Sequence, residues 1–186
     1  MPPHDDPRAQ ASHAVAAMMQ HLGPGPLAEL RRMKKEAGAP AFWRLAAQNP
    51  NTIGRQVGDW MDIIRILAIL TPKGDPVARA PLHDSKRRFG AVLCDGGDPG
   101  WSGPNPVFSE RRLAQLMAAR GPQRAVLLER AARALARSRA PGSGIDVVDI
   151  ALVLLSPDVG RRLAEPYYRR LDHAERAAEK IKEGTS

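Results

Sequence analysis

The sequence predicts an all-α protein, built as two small helical-bundle domains joined by a Gly/Pro-rich linker. Three observations point there. Apolar residues recur at three- and four-residue spacing in one segment after another, the period of an amphipathic helix. Aromatic residues make up only 4% of the 186 residues and β-branched runs are short, which disfavours sandwiches and barrels. Gly and Pro fall where each periodic run stops. A hydrophobic content of 43% is ordinary for a globular chain, and the length is enough to bury a core.

Residues 1–10 carry no apolar period and are expected to be disordered. Ser12 is a candidate N-cap for a first helix to Leu22, with Val15, Met18, Met19 and Leu22 on one face. Gly23-Pro24-Gly25 ends it. A second helix starts near Pro26, a good first-turn residue. It turns Leu27, Leu30 and Met33 inward, puts Arg31, Lys34 and Lys35 on another face, and closes at Gly38. Pro40 opens a short helix through Phe42, Trp43 and Leu45, and Asn49-Pro50-Asn51 reads as a turn. A long helix is expected over 52–70, with Ile53, Val57, Trp60, Ile63, Ile64 and Leu67 as its stripe and Phe42, Trp43 and Trp60 as core aromatics.

Residues 71–84 form a Pro-rich connection, and 85–93 a short helix. Residues 95–106, dense in Gly and Pro, are the best linker, so the expected domains are 12–94 and 107–183. Beyond the linker, Ser109 can cap a helix with Leu113, Leu116 and Met117 inside, and Glu110 suits its N-terminal dipole. Gly121-Pro122 starts the next helix, to Ser138, with Val126, Leu127, Ala131, Ala134 and Leu135 inward. Asp146 begins a buried helix through Val147, Ile150, Leu152, Val153 and Leu154. After the Ser156-Pro157 cap, a last helix from Pro166 aligns Tyr167, Leu171, Ala174, Ala178 and Ile181.

The charge narrows the function. The formal net charge is +8, and 22 of the 28 basic residues are arginine. Arginine forks onto phosphate and stacks on bases, as lysine does not; codon bias toward arginine accounts for the ratio equally well, though less well for the net charge. Between Ser109 and Arg139 lie eight arginines and two glutamates, a local balance of +6. Such a stretch fits a polyanion track that binds backbone phosphates without reading sequence.

Catalytic chemistry is missing. His4, His13, His21, His83 and His173 show no ligand spacing except the pair His83-Asp84, which reads as a surface loop because further histidines are not well placed beside it. No metal or other cofactor is expected. Asp95-Gly96-Gly97-Asp98 lacks the Lys-Ser/Thr of a phosphate loop. Cys94 follows an apolar run and reads as a small buried residue without a base partner. A single cysteine cannot form an internal disulfide, and the N-terminus lacks a signal-peptide pattern, so a cytoplasmic setting is expected. No apolar window approaches the length of a membrane span.

Three stretches, Leu27-Ala28-Glu29-Leu30-Arg31-Arg32, Pro40-Ala41-Phe42-Trp43-Arg44-Leu45 and Ser109-Glu110-Arg111-Arg112-Leu113, carry a resemblance in their order and spacing. With Phe89-Gly90-Ala91-Val92-Leu93 between them and Gln115-Leu116-Met117 after, the chain resembles the CasB family, the small subunit of the type I-E CRISPR Cascade. It departs from that family at Leu113-Ala114, where Phe or Ile with Phe is common, and at Ser156-Pro157, where a Trp often stands.

The resemblance implies an all-helical, two-domain protein without enzymatic activity. It implies two head-to-tail copies assembled with other Cascade subunits and crRNA, holding target DNA, chiefly the displaced single strand. On matching positions it points to Arg32, Arg44, Arg111, Arg112 and Arg120, and to Arg55 at the start of the long helix. Lys86, Arg87, Arg88 and the face of Arg130, Arg133 and Arg137 are candidates from charge alone. Arg44 and one of Arg31 or Arg32 can instead brace helices. A competing reading is a helical scaffold whose basic faces dock acidic proteins. A metal-dependent phosphohydrolase on His83-Asp84 and a helix-turn-helix regulator are weaker alternatives.

Overall fold

The chain is described from a computed structural model over residues 6–183, with side chains through Lys180. Among the described residues ten helices run in order: α1 Pro7–Gln20, α2 Pro24–Arg32, α3 Pro40–Gln48, α4 Pro50–Ile53, α5 Val57–Leu70, α6 Phe89–Asp95, α7 Glu110–Ala118, α8 Gly121–Ser138, α9 Val147–Leu155 and α10 Val159–Glu183. No strand occurs among the described residues, only the isolated bridges Lys34 to Gly38 and His83 to Ile145. The all-α expectation holds. No described helix is long and apolar enough to cross a membrane.

Two helices are apolar on nearly every face. α5 buries Trp60, Met61, Ile63, Ile64 and every residue from Ile66 to Leu70. α9 buries Val147 and the run from Asp149 to Val153. A helix without a polar face has to be surrounded. α2 and α8 pack against α5, α1 packs against α9, and α5 and α9 touch each other. α10 lays Leu163, Tyr167 and Leu171 into the core, with its main packing against α6. One hydrophobic cluster runs from Ala11 in α1 to Leu171 in α10.

Several boundaries differ from the sequence expectation. α1 starts at Pro7, because the Asp6 carboxylate caps it by accepting from the Arg8 N–H at 2.9 Å. Ser12 is therefore interior, and its hydroxyl donates to the Arg8 carbonyl at 2.6 Å. Of the stretch expected to be disordered, residues 1–5 lie outside the described chain. The expected long helix is two: α4 ends at Ile53, and α5 begins only after Gln56. Asn49-Pro50 is a helix start rather than a free turn, since proline suits the first turn. Residues 85–88 are not helical, and α6 begins at Phe89.

α10 begins at Val159, well before Pro166, which stands inside it. The place of Ile181 on its stripe lies outside the described side chains. In α8 the inward face is Ala125, Leu128, Ala131, Ala132 and Leu135, while Val126 is 43% exposed. Trp43 is 48% exposed rather than core; its indole packs over Gly38 and donates to the Ala37 carbonyl at 3.4 Å.

The Gly/Pro-rich segment after α6 is pinned by hydrogen bonds. Asp95, 2% exposed, accepts from the Gly97 N–H and pairs with Arg87 and Arg170. Arg170 also donates to the Trp101 carbonyl at 2.6 Å and lies over its indole ring. Val107 and Phe108 donate to the Cys94 and Leu93 carbonyls, and Tyr167 donates to the Phe108 carbonyl at 2.7 Å.

Candidate nucleic-acid interface

The basic residues divide by what they touch. One group closes helix ends, where carbonyls lack intrahelical donors. Arg31 of α2 donates to the Ala68 and Thr71 carbonyls at 2.8 and 2.9 Å, so Arg31 rather than Arg32 is the brace between α2 and the end of α5. Arg79 is 5% exposed and donates to the carbonyls of Met19, Gln20, Leu22 and Gly74. Arg124 donates to the Ala119 and Val153 carbonyls, and Arg139 to the Leu70 carbonyl. Arg120 donates to the carbonyls of Met117, Ala118 and Ala119 while staying exposed.

A second group is tied to carboxylates. Arg88 grips Asp149 through Nε at 2.7 Å and Nη2 at 3.1 Å, and Arg162 reaches the same carboxylate at 3.3 Å. Asp149 is 1% exposed and also accepts from the Phe89 N–H. Arg87 pairs with Asp95. Arg65 and Arg133 share Glu129, and Lys35 pairs with Asp62 at 2.6 Å. Burial alone would raise the Glu129 carboxyl, but the hydrogen bonds from Arg133 and Arg65 together hold it below the ordinary carboxylate range.

The third group faces solvent. Arg44, Arg55, Arg111, Arg112, Arg130 and Arg137 are exposed and make no side-chain hydrogen bond or ion pair to any described residue. Lys86 is exposed, with only its backbone N–H engaged, on Asp84. Arg32 is exposed and makes one long bond to its own helix, to the Ala28 carbonyl at 3.3 Å. Of the eight arginines between Ser109 and Arg139, only Arg111, Arg112, Arg130 and Arg137 are thus uncommitted.

These four sit on the adjoining helices α7 and α8. Arg111 and Arg112 border a hollow of about 520 Å³ with Pro106, Val107, Ser109 and Gln115. On α8, Val126, Arg130, Arg133 and Arg137 follow one another at steps of four, three and four, which makes a single exposed stripe. Arg133 in its middle is half-neutralised by Glu129.

A larger cleft, about 1170 Å³, opens between α1, the α4–α5 break, α9 and the start of α10. Arg55 and the exposed Arg161 line it together with Arg8, Arg88 and Arg162, against Asp6, Asp146, Asp149, Asp158 and Glu165. Five cations facing five acids give a mixed surface rather than a uniform anion track. No sequence pattern announces this cleft, because its walls come from four separated segments.

Comparison with known proteins places the chain in a family. The family model described as CRISPR-associated protein Cse2 matches residues 26–168, which span α2 through α9 and the first part of α10. No curated protein and no solved structure matches the chain.

Proposed function

Because the chain belongs to the CRISPR-associated Cse2 family, we propose that it is the non-catalytic small subunit of the RNA-guided type I-E Cascade, where it holds the backbone of the displaced non-target DNA strand. The family match supports the subunit role. The strand-holding role rests on one observation: Arg111, Arg112, Arg130 and Arg137 stand exposed and uncommitted on adjoining helices. An arginine already paired with a carboxylate gains little from a phosphate, because it must first give up its partner. Uncommitted arginines release counterions and bind without reading bases. Arg44, Arg55, Lys86 and Arg32 extend the candidate surface. Arg87, Arg88, Arg120 and Arg133 are engaged within the fold and contribute charge at a distance. In the assembled complex two copies would lie along the guide-bearing subunits, each copy adding its own arginines to the track.

A second reading is favoured by the exposed apolar groups beside the cations. Val126 heads the α8 stripe, and Trp43 neighbours Arg44. Arginine mixed with apolar surface suits a protein interface, so these faces also fit docking to acidic protein partners. Fluorescence anisotropy of the purified protein on mixed-sequence single-stranded and duplex DNA, across a salt series, separates the two. Sequence-indifferent binding that weakens with salt supports the strand role. No binding at low salt leaves the faces as docking surfaces.

A further inference from the structure

Three side chains with metal-ligand chemistry converge where α1 meets the start of α9. His13 projects from the middle of α1, His83 lies on the segment bridged to Ile145, and Asp146 is the residue before α9. One ring nitrogen from each imidazole and a carboxylate oxygen of Asp146 all lie within 4.8 Å of one another. The imidazole centroids are 4.1 Å apart with the rings tilted by 44°, and His83 Nδ1 is 3.9 Å from Asp146 Oδ1. All three residues are half-buried, and His13 and Asp146 line the large cleft. Asp84, the sequence neighbour of His83, is occupied instead with the Lys86 N–H.

We propose that His13, His83 and Asp146 form a zinc site that ties α1 to the start of α9. Two imidazoles and a carboxylate are a borderline-soft donor set that suits Zn²⁺ better than Mg²⁺ or Ca²⁺, which prefer oxygen alone. Tetrahedral zinc with bonds near 2.0–2.1 Å holds its ligand atoms about 3.3 Å apart, so the present spacing closes by side-chain rotation of roughly 1.5 Å at most. The backbone is held at His13 by helix α1, at His83 by the bridge to Ile145, and at Asp146 by its N–H, which donates to the Arg87 carbonyl at 2.8 Å. Three protein ligands leave a fourth position, which water reaches through the cleft.

The surroundings favour the ion. The His83 and Asp146 side chains are already largely withdrawn from water, 27% and 14% exposed. The Val147 N–H now donates to His83 Nδ1 at 3.4 Å, a long bond that gives way readily to a metal. Arg88 and Arg162 are near but are held on Asp149. The site would join the family-matched region to α1, which lies outside residues 26–168, and it is independent of the DNA reading.

The test uses the full chain, stripped with chelator and dialysed. Zn²⁺ is titrated against a competing chromophoric chelator, and Tm is recorded with and without Zn²⁺, with Mg²⁺ as control. One equivalent of Zn²⁺ is expected to bind and to raise Tm, since a ligand that binds only the native state stabilises it. His13→Gln, His83→Gln and Asp146→Asn are each expected to abolish stoichiometric binding and the Tm response. Asp146→Asn keeps an N-cap side chain, and His13→Gln removes the ring contact with His83 but leaves the bridge from His83 to Ile145 in place, so the loss is readable even if His83→Gln fails to fold. Absence of stoichiometric binding by the unsubstituted chain would overturn the proposal. So would binding that survives in both His13→Gln and Asp146→Asn, which would place the ion on other histidines.

Discussion

Gly90 of α6 faces the Leu163 carbonyl of α10 so closely that a β-carbon on Gly90 would lie 2.1 Å from the carbonyl oxygen and 2.9 Å from its carbon. The obstacle is helix backbone, which cannot swing aside as a side chain does. Gly90→Ala therefore has to push α6 and α10 apart along the most extensive helix contact in the fold. A loss of about 3 kcal/mol is expected, at the upper end for overpacking. Gly160→Ala in α10 is the control: only the flexible Met117 methyl, at 3.9 Å, comes near its β-carbon position, and alanine in a helix should gain about 0.5–1 kcal/mol. Urea midpoints of the two variants should move in opposite directions.

Asp149 is expected to matter more than either of its arginines. Asp149→Ala strands Arg88, Arg162 and the Phe89 N–H together. Breaking a buried pair from one side costs about 3–5 kcal/mol, and the low end applies because the Arg88 side chain is 44% exposed and can rehydrate. Arg88→Ala leaves Asp149 with Arg162 and the Phe89 N–H, so a loss of about 1 kcal/mol is expected. Denaturant unfolding of both variants checks the order. Equal losses would mean that Arg162 does not hold the carboxylate alone.

Asp149 also marks where sequence reading stops. The helical period identifies α5, α7, α8 and α9 because each repeats apolar residues within one segment, and Asp146 is legible as a cap because its partner Val148 is two residues away. Asp149 meets Arg88 across 61 residues, and no local pattern encodes such a pairing. The same holds for Arg79 over the end of α1 and for His13 beside His83. Charge density between Ser109 and Arg139 overstates the free surface for this reason, since Arg124 and Arg139 are spent on carbonyls of distant helices. The inward face of α8 escapes the period because alanines carry little periodic signal, so Val126 and Leu127 outweigh Ala125 and Ala132. Pro166 suggests a start for α10 because proline usually opens a helix; packing against α6 carries the helix through it instead.

Cys94 should be inert as a nucleophile. It is fully buried in α6, and burial, aided by the adjacent Asp95 charge, pushes its thiol up to about 12. Reaction requires thiolate and access. Labelling by a thiol-reactive chromophore at pH 8 is expected to be far slower than for the unfolded chain in guanidinium. Rapid stoichiometric labelling of the native protein would mean that α6 opens readily from α10.

Acid should weaken the contact between α5 and α8. The Glu129 carboxyl is held below its ordinary value by Arg133 and Arg65 despite burial. A carboxylate whose folded pKa is depressed contributes stability in full above its unfolded pKa, about 4.3 for Glu, and loses it as pH falls through the folded value. Urea midpoints should therefore drop below about pH 4.3, and Glu129→Gln should be less stable at pH 7 and lose less on acidification. An unchanged acid slope in that variant would show that the pair is solvated in solution.

The arginine surface makes the sharpest demand on the proposed function. Replacing Arg111, Arg112, Arg130 and Arg137 together by Gln removes exposed groups that bond to no described residue, so stability should change by less than about 0.5 kcal/mol per site. Affinity for single-stranded DNA should fall at low salt, and the slope of log K against log salt should shrink by about 0.7 for each phosphate left without its arginine. Arg31→Gln should behave oppositely, because Arg31 closes the carbonyls at the end of α5: lower stability with an unchanged slope. If the fourfold variant keeps the full salt slope, the DNA is held elsewhere, and the surface around Arg44 and Arg55 becomes the next one to neutralise. If it loses assembly with partner subunits but not DNA affinity, the α8 stripe is a protein-docking face, with Val126 as its apolar anchor.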